Sequence, residues 1–297
     1  MKYRDKGPYI EQPNHKIRQG LRHMFVHLNV KSSYSVNRST IGAADLADRC
    51  KELGFSAVGV TDYNNLAGPY ILADKLASKG IRHITGVDLP LEIDGRTAPI
   101  SLLVASAAGW SNIVKLVSTA HLTATEAPHN GFSERAITME ELAGVADGLI
   151  CLSGGIRGHL ATLLCAGLKT EARLLAKRLA AMFPDRYFIE VNRHDGGAYA
   201  VEADLVGIAD ELAIPLVATT DAHFLGPDDH EAQDALYANY QGMTVNTPAR
   251  HSMRPGQYLR PAAEMEALFA DLPDAVHNTG VVAEMCRFMP IKDGNQM

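Results

Sequence analysis

The sequence has no CxxC pair, no GxGxxG turn, one tryptophan, and no uncharged apolar run of the ~18 residues that a membrane span needs. Each absence excludes something. Cys50, Cys151, Cys165 and Cys286 stand far apart, which argues against a zinc ribbon and against a disulfide framework. A reducing cytoplasm without membrane contact is the expected setting. The missing GxGxxG removes the dinucleotide-binding fingerprint. Ser153 in LSGGIRG has no GxSxG elbow around it, and Gly154-Gly155 is too short for a phosphate-cradling loop. Basic excess is also lacking: 28 Lys and Arg stand against 34 Asp and Glu, a formal charge of −6. The imbalance is uneven, because residues 1–31 carry seven bases and two acids, leaving 21 against 32 for the remainder. An acidic body is a poor sequence-independent DNA binder, since such binding depends on neutralising phosphates. The basic arm at 1–23 reads as a solvated extension, with a contact for nucleic acid or an acidic partner as the alternative.

What is present is alternation. Short apolar runs at 24–30, 56–60, 82–85, 100–105, 149–153, 187–191 and 215–219 predict seven strands. Between and after them, amphipathic patterns predict helices at 43–54, 70–79, 110–121, 139–145, 157–182 with a break near Gly167, 199–213 and 231–240. Strict alternation implies parallel pairing with right-handed crossovers, hence an open doubly wound sheet or a closed barrel. Seven units without a GxGxxG turn favour the barrel. From residue 248 the composition changes to a loop and two helices, the second spanning 273–288 with proline in its first turn. The expected organisation is an extension at 1–23, a β/α barrel at 24–247 and a helical appendage at 248–297.

Such barrels collect their chemistry at the C-terminal ends of the strands. Read in order, those ends offer His27 and Asn29, then Thr61-Asp62-Tyr63, Asp88, the stretch from Glu190 to His194, and finally Asp221 and His223. Histidine at every second position of a strand would place metal ligands on one face, but here the series stops after His27. Asp62 is expected to cap or brace the loop that follows it.

The runs HLNVKSSYS, GFSAVGVTDYNNLAG, IRHITGVDL, DGLICLSGGIRG, YFIEVNRHD and LAIPLVATTDAHFL together resemble the PHP (polymerase and histidinol phosphatase) domain. The version they resemble stands at the N-terminus of bacterial C-family DNA polymerases, the alpha subunit of DNA polymerase III and its error-prone relatives. The likeness runs from about Phe25 to Phe288, and the tail pieces QGMTV, YLRPAAEMEALF and NTGVVAEMCRF resemble the segment leading to the polymerase palm. The resemblance implies a distorted seven-stranded, TIM-like (β/α)7 barrel. It also implies a cluster of His, Asp and Glu ligands around two or three metals, which activate water against a phosphate ester.

Carried over residue by residue, the motif is damaged. Its paired histidines fall on His27 and Asn29, a further histidine on Lys31, and the histidine of TDH on Tyr63. An acid falls on Arg38, and the glutamate after the third strand on Asp88; Asp221 and His223 keep the pattern. The resemblance thus leaves His27, Asp88, Asp221 and His223 as a vestigial or single-metal set, with His194 and His121 as badly placed extras. No cofactor is expected; a surviving site of this mixed N and O type would suit zinc or manganese. Lys31 or Arg38, pointing inward, would replace the charge of a metal without its chemistry.

Three readings follow. The first is an inactive structural and interaction module of DNA replication or repair synthesis. Its partner would be a polymerase core or a proofreading subunit, and it would meet DNA only indirectly. The second is a divergent metal-dependent phosphoesterase. The third is a barrel that binds a phosphorylated ligand without hydrolysing it. Polymerase chemistry is not expected, because none of Pro184-Asp185, Pro227-Asp228 and Pro273-Asp274 sits in a PDxD-type strand context.

Overall fold

The computed structural model describes residues 25–122 and 136–290, apart from Gly196, Ala198 and Ala249. The basic arm at 1–23 and the polar piece at 123–135 lie outside the described residues. The elements follow the expected alternation over most of the chain. They are α1 (Ala43–Glu52), β1 (Ala57–Tyr63), α2 (Pro69–Ser78), β2 (Arg82–Ile93), β3 (Arg96–Val104), α3 (Ala107–Leu122), β4 (Ile137–Thr138), α4 (Met139–Ala143) and β5 (Leu149–Leu152). After these come α5 (His159–Cys165), α6 (Lys169–Met182), β6 (Tyr187–Asn192), α7 (Glu202–Leu212), β7 (Leu216–Thr219), α8 (His230–Tyr240), α9 (Ala262–Leu268) and α10 (Pro273–Met285). Local chemistry sets several boundaries. Thr138 and Glu141 form a reciprocal capping box that starts α4. Gly167, at φ 75°, adopts the left-handed conformation that separates α5 from α6. No helix of the described residues is long and apolar enough to cross a membrane.

The strands form a curled mixed sheet in the order β1-β2-β3-β5-β6-β7, with β4 pairing to β2 off that path. The expectation of uniformly parallel pairing is corrected at β3, which runs antiparallel to both β2 and β5. The cause is a hairpin in place of a helical crossover. Asp94 and Gly95 both take positive φ, 50° and 74°, the two-residue turn that an Asp-Gly pair favours between antiparallel strands. The stretch Phe25–Val30 is not a named strand but is extended. Val30 bridges Val60 of β1 on one side and Ala222, just past β7, on the other.

Inward-facing side chains form a central cluster of Val26, Leu28, Ala57, Ile84, Leu103, Ile150, Leu152, Phe188 and Val217. Val282, Ala283 and Cys286 of α10 complete it, so the C-terminal helix fills one end of the curled sheet instead of lying beside it. Two further clusters pack the outer faces. One lies under α3 to α7, and the other gathers Phe25, Val30, Phe55, α1, α2 and α9.

A local irregularity in the first segment decides where its side chains point. Gly59 N–H donates to the His27 carbonyl at 2.6 Å, while the Gly59 carbonyl accepts from Val30 N–H at 3.1 Å. A regular parallel ladder would span one residue between those partners; here it spans Leu28 and Asn29, which makes a β-bulge. Leu28 therefore joins the central cluster and Asn29 the polar mouth above it, whereas His27 shares the outer face with Phe25. Gly59 permits this, since a Cβ there would lie 2.7 Å from the Leu28 carbonyl oxygen and 2.9 Å from its Cα. Gly59→Ala is expected to destabilise the fold by roughly 2 kcal/mol or more, as overpacking against backbone does. Urea unfolding monitored by circular dichroism checks this, and an unchanged midpoint would rule out the bulge.

Candidate functional site

The first segment, five strands and one turn deliver polar side chains to the mouth of the sheet. Beyond the bulge, Asn29 and Lys31 point the same way. Asp88 and Ser101 lie directly opposite each other across the β2/β3 pair, and the Ser101 hydroxyl donates to Asp88 Oδ1. Asp221 follows β7 at φ 46°, a left-handed conformation that aspartate tolerates better than most residues. Glu190 comes from β6 and accepts from Asn29 Nδ2 at 3.0 Å and from the Thr219 hydroxyl.

At the centre lies the ammonium of Lys31, whose side chain is 1% exposed. Its Nζ stands 2.8 Å from Asp88 Oδ2 and 3.4 Å from Asp221 Oδ1, and it donates to Thr61 Oγ1 at 2.8 Å and to Asn29 Oδ1. A second cation, Arg157, reaches Asp221 Oδ2 at 2.9 Å and Asp88 Oδ2 at 3.6 Å. It rides on the short 3-10 turn Gly155–Arg157, entered through Gly154 and Gly155 at φ 83° and 57°. The turn is pinned where Ile156 N–H donates to Asn192 Oδ1 at 2.7 Å. The glycine pair that is too short to cradle a phosphate thus serves to bring an arginine over two carboxylates.

The electrostatics follow from this packing. Burial opposes ionisation of Asp221, but Arg157, His223 and Lys31 outweigh it and hold the carboxyl well below the usual range. Glu190 goes the other way: burial raises its pKa, and the hydrogen bonds from Thr219 and Asn29 only partly offset that. Its Oε2 is buried without a hydrogen-bond partner. Two cations thus face Asp88 and Asp221. His223 Nδ1 donates to the Arg38 carbonyl at 2.7 Å, while its Nε2 lies 3.3 Å from Asp221 Oδ1.

A match to the PHP domain covers residues 27–194. The chain belongs to the PHP family. DNA polymerase III subunit alpha of Caulobacter vibrioides is 34% identical over 274 residues, 89% of this chain and 24% of the relative. The same subunit of Pseudomonas fluorescens is 34% identical over 267 residues, 88% of this chain and 22% of its own. An error-prone DNA polymerase of Symbiobacterium thermophilum is 32% identical over 285 residues, 91% of this chain and 25% of its own. This PHP chain therefore spans about a quarter of the length of the curated relatives it matches. Among solved structures, a proposed metal-dependent phosphoesterase of Bifidobacterium adolescentis overlays 83% of this chain and 95% of its own, at a TM-score of 0.47 and 10% identity.

The metals that a PHP centre implies do not fit the side chains in this mouth. A ligand oxygen binds zinc at ~2.0–2.2 Å, but the charge here is supplied by Lys31 and Arg157 lying against the very carboxylates that would bind. Among the described residues, no three His, Cys, Asp or Glu side chains converge to hold an ion. Of the four residues expected as a vestigial set, Asp88, Asp221 and His223 meet around the two cations. His27 is engaged elsewhere: its Nε2 donates to the Arg260 carbonyl at 2.8 Å, Nδ1 faces the Thr220 hydroxyl at 3.3 Å, and the ring packs edge-on against Phe25 and Phe55. The expectation that His27 and Asn29 share a strand face is corrected by the bulge.

Other expected positions resolve as follows. Lys31 points inward; Arg38 does not reach the aspartates but lies over the rings of Tyr63 and Tyr240, 3.5 and 4.3 Å from their centroids. Asp62 braces the loop before it in sequence, not the one after. It accepts from Ser32 N–H, Ser32 Oγ and Ser35 Oγ, each at 2.7 Å. His121 donates to the Asn64 carbonyl at 2.7 Å. Arg157 and Ser101 were not singled out by sequence, and Thr61 only as one of the strand-end residues Thr61-Asp62-Tyr63. The one available signal was an arginine five residues past the end of β5, behind paired glycines.

Removing one partner from a buried ion cluster leaves uncompensated charge, a loss of about 3–5 kcal/mol. Lys31→Met is expected to destabilise by that amount in denaturant unfolding, and Lys31→Met with Asp88→Asn to recover part of it; equal stability of the single variant and the native chain would sink the ion-cluster reading. Burial lowers His27, His83 and His194 to about 4. Between that value and ~6.5 the unfolded chain binds more protons than the fold, so stability falls as pH drops through this window. Glu190, raised, opposes the trend with a single proton. His27→Gln is expected to flatten the slope of unfolding free energy against pH by about one proton.

Proposed function

We propose that this chain is a non-hydrolytic PHP domain, a structural and interaction module related to the N-terminal region of bacterial replicative polymerases. One observation carries the reading: the Lys31 ammonium stands 2.8 Å from Asp88 and 3.4 Å from Asp221, bonded where a hydrolytic centre needs open coordination positions. Asn29 spends its amide on Glu190 and Lys31, so it adds no lone pair to a metal. A water activated between these groups would find no electrophile to lower its pKa and no pair of ions to clamp a phosphate.

The same reading treats the sheet as a closed, seven-stranded, TIM-like barrel in which Phe25–Val30 is the closing strand. This is supported by Val30 N–H donating to Gly59 O at 3.1 Å and Lys31 N–H donating to Ala222 O at 2.8 Å, one bond to each side. The partner in this proposal is a polymerase core or a proofreading subunit, with DNA met only through that partner. Its support is the extent of the likeness, which at 89% of the chain reaches well beyond the PHP match at 27–194.

Metal analysis of the purified chain, with turnover of phosphomonoester and phosphodiester substrates, tests the proposal. The expected result is less than about one equivalent of zinc or manganese and no hydrolysis, since metal ligation requires donors that are here already paired. Metal-dependent turnover that disappears in His223→Ala would establish the divergent phosphoesterase instead.

A further inference from the structure

The stretch RHSMRPG at 250–256 crosses beside the mouth of the sheet as a strap between α8 and α9. A cavity of about 180 Å³ lies there, with His251, Met253 and Arg254 of the strap in its wall together with Arg157, His194 and His223 of the body. Arg157 and His223 also touch Asp221, so whatever reaches the cavity reaches the edge of the ion cluster.

The strap is held differently from its surroundings. Among the described residues, no backbone-to-backbone hydrogen bond joins 250–256 to a strand; its one such bond is local, from Gln257 N–H to the Arg254 carbonyl at 3.1 Å. Side chains of α8 and its C-cap hold it instead. Both carboxylate oxygens of Asp234 accept from the Arg250 guanidinium, and Oδ1 also accepts from Met253 N–H at 3.0 Å. His230 Nε2 donates to the Met253 carbonyl at 2.9 Å, and the Gln241 amide accepts from His251 N–H at 3.2 Å and donates to its carbonyl at 2.8 Å. His230, Asp234 and Gln241 stand at i, i+4 and i+11, one face of the helix. Arg254 adds a bond to Asp195 at 3.0 Å, but both side chains are about half exposed and such pairs contribute little.

Apolar anchoring is just as local. Met253 is buried yet belongs to none of the three apolar clusters, while His251, Ser252, Arg254 and Pro255 are exposed. The far end is fixed: Gly256 lies against the His194 carbonyl, where a Cβ would sit 1.5 Å from the oxygen, and His223 N–H donates to the Gln257 carbonyl at 2.8 Å. A segment with one buried apolar side chain, tied by side chains to a single helix, opens at lower free energy than the strands beneath it.

We propose that residues 250–256 form a lid, latched by Asp234, that opens as one unit from its fixed end at Gly256 and controls access to the mouth while the sheet and α8 stay folded. This holds whether or not the mouth hydrolyses anything, so it stands or falls apart from the non-hydrolytic reading.

Trypsin reports the open state at a single bond. Between 194 and 286 the only Lys or Arg residues are Arg250, Arg254 and Arg260, and the last two precede proline, where trypsin does not cut. In the full chain, Asp234→Asn is expected to speed cleavage at 250–251 about tenfold or more, the size of losing a hydrogen bond to a charged group. Amide hydrogen exchange across 251–256 should rise together by a similar factor. Diethyl pyrocarbonate modification of His194 and His223, each 4% exposed, should rise with it, while His83, 1% exposed and outside the cavity wall, stays protected. Arg250→Gln, which removes the cleavage site, should reproduce the exchange and the modification, and circular dichroism checks the fold of both variants. Unchanged exchange in both variants overturns the lid, as do strap amides that exchange only together with those of β6 and β7. Modification of His194 and His223 that stays at the native rate while the strap opens also overturns it, and so does a parallel rise at His83, which signals global unfolding.

Discussion

Two carboxylates, Asp88 and Asp221, are buried at the mouth of the sheet, where a carboxylate is costly to hold unless a cation lies in contact with it. Lys31 meets that requirement from the first segment and Arg157 from the turn after β5. The remaining polar groups are arranged around that fact. Thr61 and Asn29 accept from the ammonium, Ser101 donates to Asp88, and burial raises the pKa of Glu190. The backbone serves the same end, because the bulge opposite Gly59 brings Asn29 into the mouth directly after Leu28 has entered the core.

Within the PHP family such a mouth is a departure in chemistry more than in shape. A lysine side chain brings charge on a flexible stem and three donors, but no empty orbital and no exchangeable water. That charge lies against both aspartates, and the segments they belong to are tied together through it.

Much of this was readable in the sequence, and the failures have physical causes. Helix positions were legible because their apolar periodicity is strong, and the Gly167 break and the Pro273 start fell where expected. The β2/β3 hairpin was not, although Asp94-Gly95 is a standard turn signal, because Pro90 and Pro99 sit opposite each other inside the paired strands and disguise the stretch between the two predicted strands, 86–99, as loop. The inward lysine was legible from the family pattern alone. Its partner Arg157 was not, since nothing local to LSGGIRG reports that two distant aspartates lie beneath that turn. His27 misled for a different reason: alternation along a strand assumes a regular ladder, and an added residue in one strand is invisible until the partner strand is seen.

Helix α10 carries a consequence for how the polypeptide can be divided. Its Thr279 hydroxyl accepts from Val26 N–H at 3.0 Å, Asn278 donates to the Leu216 carbonyl at 2.9 Å, and Val282, Ala283 and Cys286 close the base of the interior. A gene break or fusion junction placed between the sheet and this helix would leave an open apolar floor. Any neighbour continuing past it is bolted to the interior through a rigid post, with its orientation inherited from the strands themselves.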